Sequence, residues 1–487
     1  MQLLTTHTQR LMLVSAIIAG VFILFPSISV YQLAAFTQFV IEQLGNQVIQ
    51  LSTLALLICA AIVVSPFGKK RLGDEAPEFG FIPWLVMLFT TGMGSGLIFW
   101  GIAEPVFHLA NPPLQSAGMD PKDTALALTY FHWGVHAWCL YALAGLVMAW
   151  VAYEKKRPMR VSASFIGARN PGWFSLVDLI AVLAILFGIA GVLANTMALV
   201  EQGVRQVFQI EGEMTGFRLV MTAVIGVLFT ASSALGLKKG IQRLSSLNVW
   251  LMLALFIFVF INIDGSAVIT RMFSSVAAYI TLLPDVSFGM IEGSKTWSQG
   301  WTVIYLVWWI AWTPFVGPFI ARISRGRTVR QFLICTIMIP TLASILWFSG
   351  FAGAVFESDY LPEIMAAVNQ DYTQGLFLFF AHLPFSNILS IAALVLLLTF
   401  VISSSDSAIY AAGMMTDDTR TSSKISWSVI VVAMSMALVM FNDVDLNKQV
   451  AIAGAIPFTF VLIAQGIAAV AEQVRTKPEP LPTPQQK

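Results

Sequence analysis

A run of aromatic residues inside one apolar segment is the feature of the sequence that most suggests chemistry. Trp308, Trp309 and Trp312 fall within little more than one helical turn. At 3.6 residues per turn, Trp308 and Trp312 share a helix face with Phe315 and Phe319. The rings either pack between helices or form a cage for a cation without hydrogen-bond donors, such as a trimethylammonium group. The stripe alone leaves both interpretations open.

A glycine stretch from Gly92 to Gly96 is the second such feature. Glycine occurs at every second residue of this stretch, G-M-G-S-G. This spacing does not keep the glycines on one helix face as GxxxG does. This favours an irregular backbone whose amides and carbonyls face a cavity, since irregular backbone survives at membrane depth only there. Close helix packing is the other common use of such glycines.

A serine cluster forms the third feature, in the apolar segment FVISSSDSA. Ser403, Ser404, Ser405 and Ser407 surround Asp406, which is unusually polar for a membrane segment. Hydroxyl and carbonyl oxygens suit a hard cation such as Na⁺. Serines also bond to the carbonyls of their own helix, so the cluster alone does not require an ion.

Two histidines, His132 and His136, stand four residues apart in another apolar segment. This spacing can bind zinc, but the sequence lacks the glutamate of HExxH. We expect helix neighbours or water to satisfy both rings. Cys59, Cys139 and Cys335 lie inside apolar segments without metal-type spacing, so we expect them to be buried small hydrophobic residues.

The composition indicates what must position these residues. The chain has 487 residues, of which 57% are hydrophobic and 11% charged, and its mean hydropathy is +0.79. These values predict a polytopic membrane protein in a lipid bilayer, with no nucleic-acid partner. The first apolar segment is long enough to span and lacks a small-residue cleavage site, so we expect it to be retained.

Apolar windows of about 20 residues predict twelve membrane spans. They cover residues 11–31, 49–66, 83–103, 125–153, 174–204, 217–237, 246–264, 298–322, 331–356, 387–411, 425–442 and 447–471. Basic clusters fall in every second loop, which places those loops and both termini in the cytoplasm. Residues 269–283 form either an amphipathic helix on the outer surface or a re-entrant loop.

Three motifs in this order resemble the betaine/choline/carnitine transporter family. They are GMGSGLIFWGIAEP from Gly92, FHWGVHAWCLY from Phe131, and YLVWWIAW followed by WTPFVGPFIARISRGRTVR. The resemblance extends from near the N-terminus to about residue 470. It implies an all-α membrane protein with a LeuT-like core of two inverted five-helix repeats, and a homotrimer is a further possibility.

The implied organisation has five parts. Residues 1–82 hold the N-terminal tail and two peripheral spans, residues 83–264 the first repeat, and residues 298–471 the second repeat. Residues 265–297 form the amphipathic helix and linker between the repeats, and residues 472–487 a short polar tail. Sequence similarity between the two halves is not visible, so the repeats depend on span counting and the resemblance.

The resemblance also implies a binding site for a quaternary ammonium solute. It implies that Trp133, Trp308, Trp309 and Trp312 surround the ammonium group. Tyr141 and Phe315 are expected beside them, and Ser95 and Gly96 near the substrate carboxylate. Choline carriers of the family have Asp where this chain has Gly96, and carnitine carriers have Tyr where it has Trp312. A betaine-like zwitterion is therefore expected, with carnitine, choline or a sulfonium analogue as the alternatives.

The family's sodium site implies a position for a coupling ion. The matching groups are the backbone carbonyls of Thr90, Met93 and Phe400 and the hydroxyls of Ser403 and Ser404. Sodium-independent exchangers of the family replace the ion with a basic side chain, and the fifth predicted span has none before residue 205. At the positions that match a second sodium site of the family, this chain has isoleucines, whose side chains cannot coordinate an ion. We therefore expect one Na⁺ and no organic cofactor, with proton coupling or exchange as alternatives.

Two residues depart from the family pattern. Leu306 stands where many members have Trp, and Pro318 predicts an additional break in the eighth span. Other function classes have less support, because the sequence shows no HExxH motif, no paired catalytic carboxylate motif and no nucleotide-binding loop. A channel would need a pore-lining repeat in place of a single aromatic cluster. We expect a transporter, not an enzyme.

Overall fold

The structure is a computed structural model that describes residues 7–92, 94–113, 118–165, 171–235 and 238–475. Within these ranges it is a bundle of α-helices, and the one strand-like contact is an isolated bridge between Arg71 and Thr328. The first ten helices are α1 His7–Leu24, α2 Pro26–Val64, α3 Phe81–Gly92, α4 Ser95–Ala110, α5 Pro121–Trp133, α6 Val135–Ala149, α7 Pro171–Phe208, α8 Thr215–Leu235, α9 Lys238–Ile261 and α10 Gly265–Val286. The others are α11 Lys295–Ser298, α12 Ile304–Ile323, α13 Val329–Phe356, α14 Leu361–Gln370, α15 Gln374–Ala381, α16 Ser386–Met415, α17 Thr421–Val439, α18 Val444–Ala453 and α19 Ala455–Arg475.

Many of these helices, alone or joined to the next one, are long and apolar enough to cross a membrane. Among the described residues, nine spans are long and apolar enough, and a tenth arises if the bent pair α18 and α19 counts as one. Three shorter apolar helices, α1, α4 and the apolar part of α9, fall in further predicted spans. With α10 set aside, the helices occupy all twelve predicted spans. The chain is thus an all-α polytopic membrane protein.

The N-terminal region differs from the prediction. A loop was expected between the first two spans, but α2 is continuous for 39 residues from Pro26 to Val64. The polar residues between the two predicted spans are part of this helix, where Gln38 donates to Glu42 one turn later at 3.0 Å. The helix is roughly 58 Å long at 1.5 Å per residue, so it must tilt or project beyond a hydrocarbon core of about 30 Å.

Three predicted spans are interrupted at glycines. The third span divides into α3, which ends at Gly92, and α4, which begins at Ser95, as the glycine stretch predicts. The fourth divides at Gly134, where a Cβ atom would lie 2.3 Å from the carbonyl oxygen of Tyr130. The last bends by 41° between α18 and α19, next to Pro457, which cannot donate a backbone hydrogen bond.

The helix that carries the tryptophans is not broken by its prolines. Pro314 and Pro318 both lie inside α12, which continues to Ile323, so the break predicted at Pro318 is wrong. Thr313 donates its hydroxyl to the carbonyl of Ile310 at 2.7 Å. That carbonyl would otherwise be left without its amide donor, because Pro314 has no N–H. A π-helical segment, Gln299–Val303, precedes α12.

Most of the segment between the two predicted repeats is one helix, α10, and not a re-entrant loop. It packs against α5 and α13. Arg271 fixes its start by ion pairs with Asp120, Asp123 and Glu357 at 2.8, 3.0 and 2.8 Å. The placement of α10 on the outer surface, the two repeats and the five-part organisation remain predictions. Of the predicted tail, residues 476–487 lie outside the described residues.

Candidate functional site

A cavity lies where α4, α6, α7 and α12 meet. Water could occupy about 90 Å³ of it, and one buried water needs about 10–15 Å³ on this measure, so a compact solute would fit. Aromatic residues form most of its wall. The lining residues are Gly94, Ser95, Gly96, Phe99, Trp100, Trp133, Tyr141, Val192, Asn195, Thr196, Tyr305, Trp308, Trp309 and Trp312.

Trp309 is the centre of the aromatic wall. Its ring centroid lies 5.7 Å from that of Trp133 and 5.1 Å from that of Tyr141, with both pairs edge to face. Tyr305 continues the wall, 5.8 Å from Trp133 and again edge to face. Such pairs stabilise one another's orientation. We call Trp133, Trp308, Trp309 and Trp312 the inner cage.

Two indole N–H groups of the inner cage are held by partners outside the cavity lining. Trp133 donates to the carboxylate of Glu104 at 2.8 Å, and Trp309 donates to the backbone carbonyl of His132 at 3.0 Å. These bonds fix both ring planes. A cation in the cavity would be attracted to ring faces, which carry the negative side of the quadrupole.

Glu104 is the hub of a fully buried polar network behind the cage. It accepts from His132 Nδ1 at 2.7 Å, and His132 Nε2 contacts the Thr302 hydroxyl at 2.9 Å. His108 Nε2 lies 3.4 Å from the same carboxylate. Possible ligand atoms of Glu104, His108 and His132 fall within 4.8 Å of one another, as a metal site requires.

The geometry of this network fits hydrogen bonding better than a metal. Two ligands at 2.0–2.1 Å from a tetrahedral zinc lie about 3.3 Å apart, whereas Glu104 and His132 are at hydrogen-bond distance. His136 points elsewhere, towards the hydroxyl of Ser287 at 3.2 Å. The two histidines expected to be satisfied by neighbours thus have separate partners.

The part of the cavity lining formed by residues 94–96 and Thr196 is polar and has little side-chain bulk. The Ser95 hydroxyl is 2.8 Å from the Thr196 hydroxyl, and α4 begins at Ser95 without a side-chain cap. The first amides of a helix lack intrahelical partners and attract anions. A Cβ atom on Gly96 would lie 3.2 Å from the Trp133 ring, so glycine lets the backbone approach the cage.

A model of the BCCT family, described as betaine/carnitine/choline family transporter, matches residues 9–478. The chain belongs to this transporter family. It is therefore a membrane transporter and not an enzyme.

Several transporters of known name are similar to this BCCT chain. Glycine betaine transporter 1 of Vibrio parahaemolyticus serotype O3:K6 is 36% identical, covering 85% of this chain and 82% of the relative. Glycine betaine transporter OpuD of Bacillus subtilis is 34% identical over 87% of this chain and 86% of its own. The ectoine/hydroxyectoine transporter of Virgibacillus pantothenticus is 32% identical, with 82% of each chain covered.

Among solved structures, a Na⁺-coupled sialic acid symporter in its substrate-bound outward-open state is similar at 13% identity. The match covers 91% of this chain and 83% of that one, with a TM-score of 0.46. So remote a likeness does not bear on the substrate or the ion of this BCCT transporter.

The structure brings together most of the residues predicted for substrate binding. Seven of them line the cavity: Ser95, Gly96, Trp133, Tyr141, Trp308, Trp309 and Trp312. Phe315 does not, because it packs behind Trp312 with ring centroids 5.0 Å apart. The α12 residues that line the cavity are Tyr305, Trp308, Trp309 and Trp312. Phe319, at the other end of the predicted stripe, is not among them and is 37% exposed. The stripe therefore continues towards the start of α12.

Sequence reasoning missed six lining residues besides Gly94. Tyr305 follows the same three-and-four spacing as the tryptophans, which could have revealed it. Val192, Asn195 and Thr196 lie on one face of α7, where an adjacent Asn and Thr in an apolar helix were a visible signal. Phe99 and Trp100 belong to the glycine motif itself.

One of the predicted ion-site residues, Ser404, lies next to the glycine break. The Ser404 hydroxyl is 3.4 Å from where a Cβ atom on Gly94 would stand, so α16 meets the start of α4. Ser403 donates to the carbonyl of Phe400 at 2.9 Å, the local helix bonding that is the alternative use of a serine. Thr90 lies in α3, and Met93 lies outside the described residues.

Proposed function

We propose that this transporter imports a small zwitterionic quaternary ammonium solute, such as glycine betaine, together with Na⁺. The observation that carries the substrate class is the orientation of the inner cage. Trp133 and Trp309 direct their N–H groups to Glu104 and His132, leaving ring faces for a cation that has no hydrogen to donate. Relatives named as glycine betaine transporters support the same class.

The charge of the site favours a zwitterion over choline. None of the described lining residues carries a formal charge, so the site offers no counter-ion to a net cation. The substrate carboxylate would lie near Ser95 and Gly96, at the uncapped start of α4, where backbone amides and the helix dipole favour an anion. Dimethylsulfoniopropionate has the same charge pattern and is the second substrate to test.

The cage can provide much of the binding free energy. A desolvated cation-π contact contributes on the order of 2 kcal/mol, and micromolar affinity corresponds to about 8 kcal/mol. Three or four such contacts are of the right size. Tyr141, buried against Trp309, completes the wall. Phe315 acts indirectly in this proposal, by supporting Trp312.

The ion site that we propose joins α16 to the break between α3 and α4. Its ligands are the carbonyls of Thr90, Met93 and Phe400 and the hydroxyls of Ser403 and Ser404. The approach of Ser404 to Gly94 supports this placement. One Na⁺ moving down a potential of 100 mV releases about 2.3 kcal/mol, which can drive accumulation of a net-neutral solute.

The orientation and assembly of the protein are also part of the proposal. The basic loops of the sequence favour an orientation with both termini in the cytoplasm of a cell-membrane protein. In this orientation the Ile304 end of α12 is extracellular and the Arg322 end is cytoplasmic. A homotrimer is proposed from the family alone.

Uptake by proteoliposomes tests the function and its coupling together. We expect an inward Na⁺ gradient, and not a K⁺ gradient, to drive accumulation of glycine betaine that unlabelled choline hardly inhibits. The double change Ser403→Ala and Ser404→Ala should abolish the sodium dependence. The matched pair Ser422→Ala and Ser426→Ala, at exposed positions of α17, should not. Equal uptake without sodium would point instead to exchange or proton coupling.

A further inference from the structure

A second aromatic cage lies beside the first and contains a cation of the chain itself. The ammonium nitrogen of Lys448 is 4.4 Å from the ring centroid of Trp301. It is 5.2 Å from that of Trp100 and 5.5 Å from that of Tyr372. All three distances are within the range of cation-π attraction. We call Trp100, Trp301 and Tyr372 the outer cage.

Lys448 is buried unusually deeply for a lysine. It is 1% exposed, and its one ion pair is with Asp445, at 2.6 Å, whose side chain is 56% exposed. A lysine is almost never fully buried unless it is paired. The rings and the carboxylate together replace the water that the ammonium loses.

The outer cage lies at the junction of two cavities. Trp100 lines the cavity of the inner cage, whereas Tyr372 and Asp445 line a second, larger cavity of about 650 Å³. The three rings contact one another, with centroids 5.6 to 5.9 Å apart. Together they connect the lining of the first cavity to that of the second, and we call them the partition.

The partition is assembled from separate parts of the chain. Trp100 is on α4, Trp301 is in the π-helical segment before α12, and Tyr372 lies between α14 and α15. Lys448 comes from α18, and its neighbour Asn447 donates to Asn195 of the first cavity at 3.0 Å. One short helix therefore contacts both the partition and the cavity wall.

We propose that Lys448 is the latch of the outer entrance: its ammonium holds the outer cage closed over the substrate cavity. This proposal rests on the proposed function, since it takes the inner-cage cavity as the substrate site and the Ile304 end of α12 as extracellular. A lysine suits a reversible latch because its ammonium is strongly hydrated. When α18 moves away, water solvates the freed ammonium, which offsets the lost ring contacts.

Chemical labelling from the outside tests the latch without any substrate. In a background with Cys59, Cys139 and Cys335 replaced by Ala, Val192→Cys places one thiol in the wall of the first cavity. Its rate of reaction with a membrane-impermeant maleimide is measured in vesicles of known orientation. We expect Lys448→Met to raise the rate by at least about tenfold, because it removes three cation-π contacts.

Two further variants separate the charge from the hydrogen bond. Lys448→Gln can still bond to Asp445 but has no charge, so its labelling should rise as with Met. Lys448→Arg keeps the charge and should stay near the parent rate. The proposal is overturned if Lys448→Gln is labelled at the parent rate, or if neither neutral variant changes the labelling rate. Because a folded Gln variant is sufficient, poor folding of the Met variant does not prevent the test.

A matched control uses a lysine that contacts a ring elsewhere. The ammonium of Lys70 lies 5.4 Å from the Phe67 ring, in a loop that we expect on the cytoplasmic side. Lys70→Met should leave the labelling of Val192→Cys unchanged, and an equal rise there would also contradict the latch. Labelling needs no transport, so loss of betaine uptake in the parent would refute the proposed function and leave this result standing.

Discussion

The inner and outer cages use similar rings for cations with different needs. In the outer cage, the Lys448 ammonium has hydrogens to donate, and the carboxylate of Asp445 accepts at 2.6 Å. In the inner cage, Trp133 and Trp309 bond away from the cavity, and none of the described lining residues is charged. A primary ammonium requires a hydrogen-bond acceptor, whereas a quaternary ammonium requires ring faces alone. The second arrangement therefore suits a methylated cation.

The largest effect is expected from removing the central ring of the inner cage. Trp309→Leu should weaken betaine binding by about 30-fold, which corresponds to one desolvated cation-π contact of about 2 kcal/mol. Quenching of tryptophan fluorescence in the purified protein measures the Kd. Trp250→Leu removes a 68% exposed ring outside both cages and should leave the Kd unchanged. Equal affinity in both variants would show that the inner cage does not determine betaine binding.

A charge placed in the inner cage should change which cation it prefers. Gly96→Asp introduces an anion next to Trp133 and should reduce betaine affinity by about tenfold while choline uptake appears, because a net cation then has a counter-charge. Competitive uptake of the two solutes measures the change. Gly96→Ala adds only a methyl group, 3.2 Å from the Trp133 ring, and should weaken betaine without admitting choline. Choline uptake by the Ala variant would indicate an effect of shape.

The carboxylate behind the inner cage should matter less than the rings. Glu104→Gln retains an acceptor for Trp133 but weakens a charge-assisted bond, whose excess over a neutral one is about 1 kcal/mol. We expect betaine Kd to rise about fivefold, measured by the same quenching. Glu363→Gln is the matched control, because Glu363 pairs with His382 at an exposed position. An unchanged Kd in Glu104→Gln would show that Trp133 does not depend on this bond.

The smallest effect on affinity should come from the outer cage. Trp301 contacts Lys448 but does not line the first cavity, so Trp301→Leu should change betaine Kd less than about threefold, well under one cation-π contact. The same variant should raise maleimide labelling of Val192→Cys. A large loss of affinity with unchanged labelling would mean that the two cages are not separate in function.

The sequence predicted the inner cage better than its surroundings. The tryptophans and the glycine stretch are local patterns, and seven predicted residues line the cavity. Phe315 was misplaced because one helical turn can direct a ring into the cavity or behind it, and packing against Trp312 decides which. Asn195 and Thr196 were missed because their role depends on α7 meeting α4.

The outer cage was not predictable in the same way. Trp100, Trp301, Tyr372 and Lys448 are far apart in sequence, and each looks ordinary in its own segment. They meet only in the folded protein, where three rings from separate elements contact the ammonium of Lys448. The helical class followed from composition and apolar windows, but the long α2 did not, because the polar residues expected to form a loop lie on its helix faces instead.

Binding of a charge-free isostere tests the central claim most directly. In 3,3-dimethylbutanoate the quaternary nitrogen of glycine betaine is replaced by carbon, so shape and carboxylate are kept and the positive charge is lost. If the ring faces of the inner cage bind the ammonium, the isostere should compete at least about 100-fold more weakly than betaine, as expected from several lost cation-π contacts. Equal competition by both compounds would show that shape and apolar burial, and not charge, determine binding in this cavity.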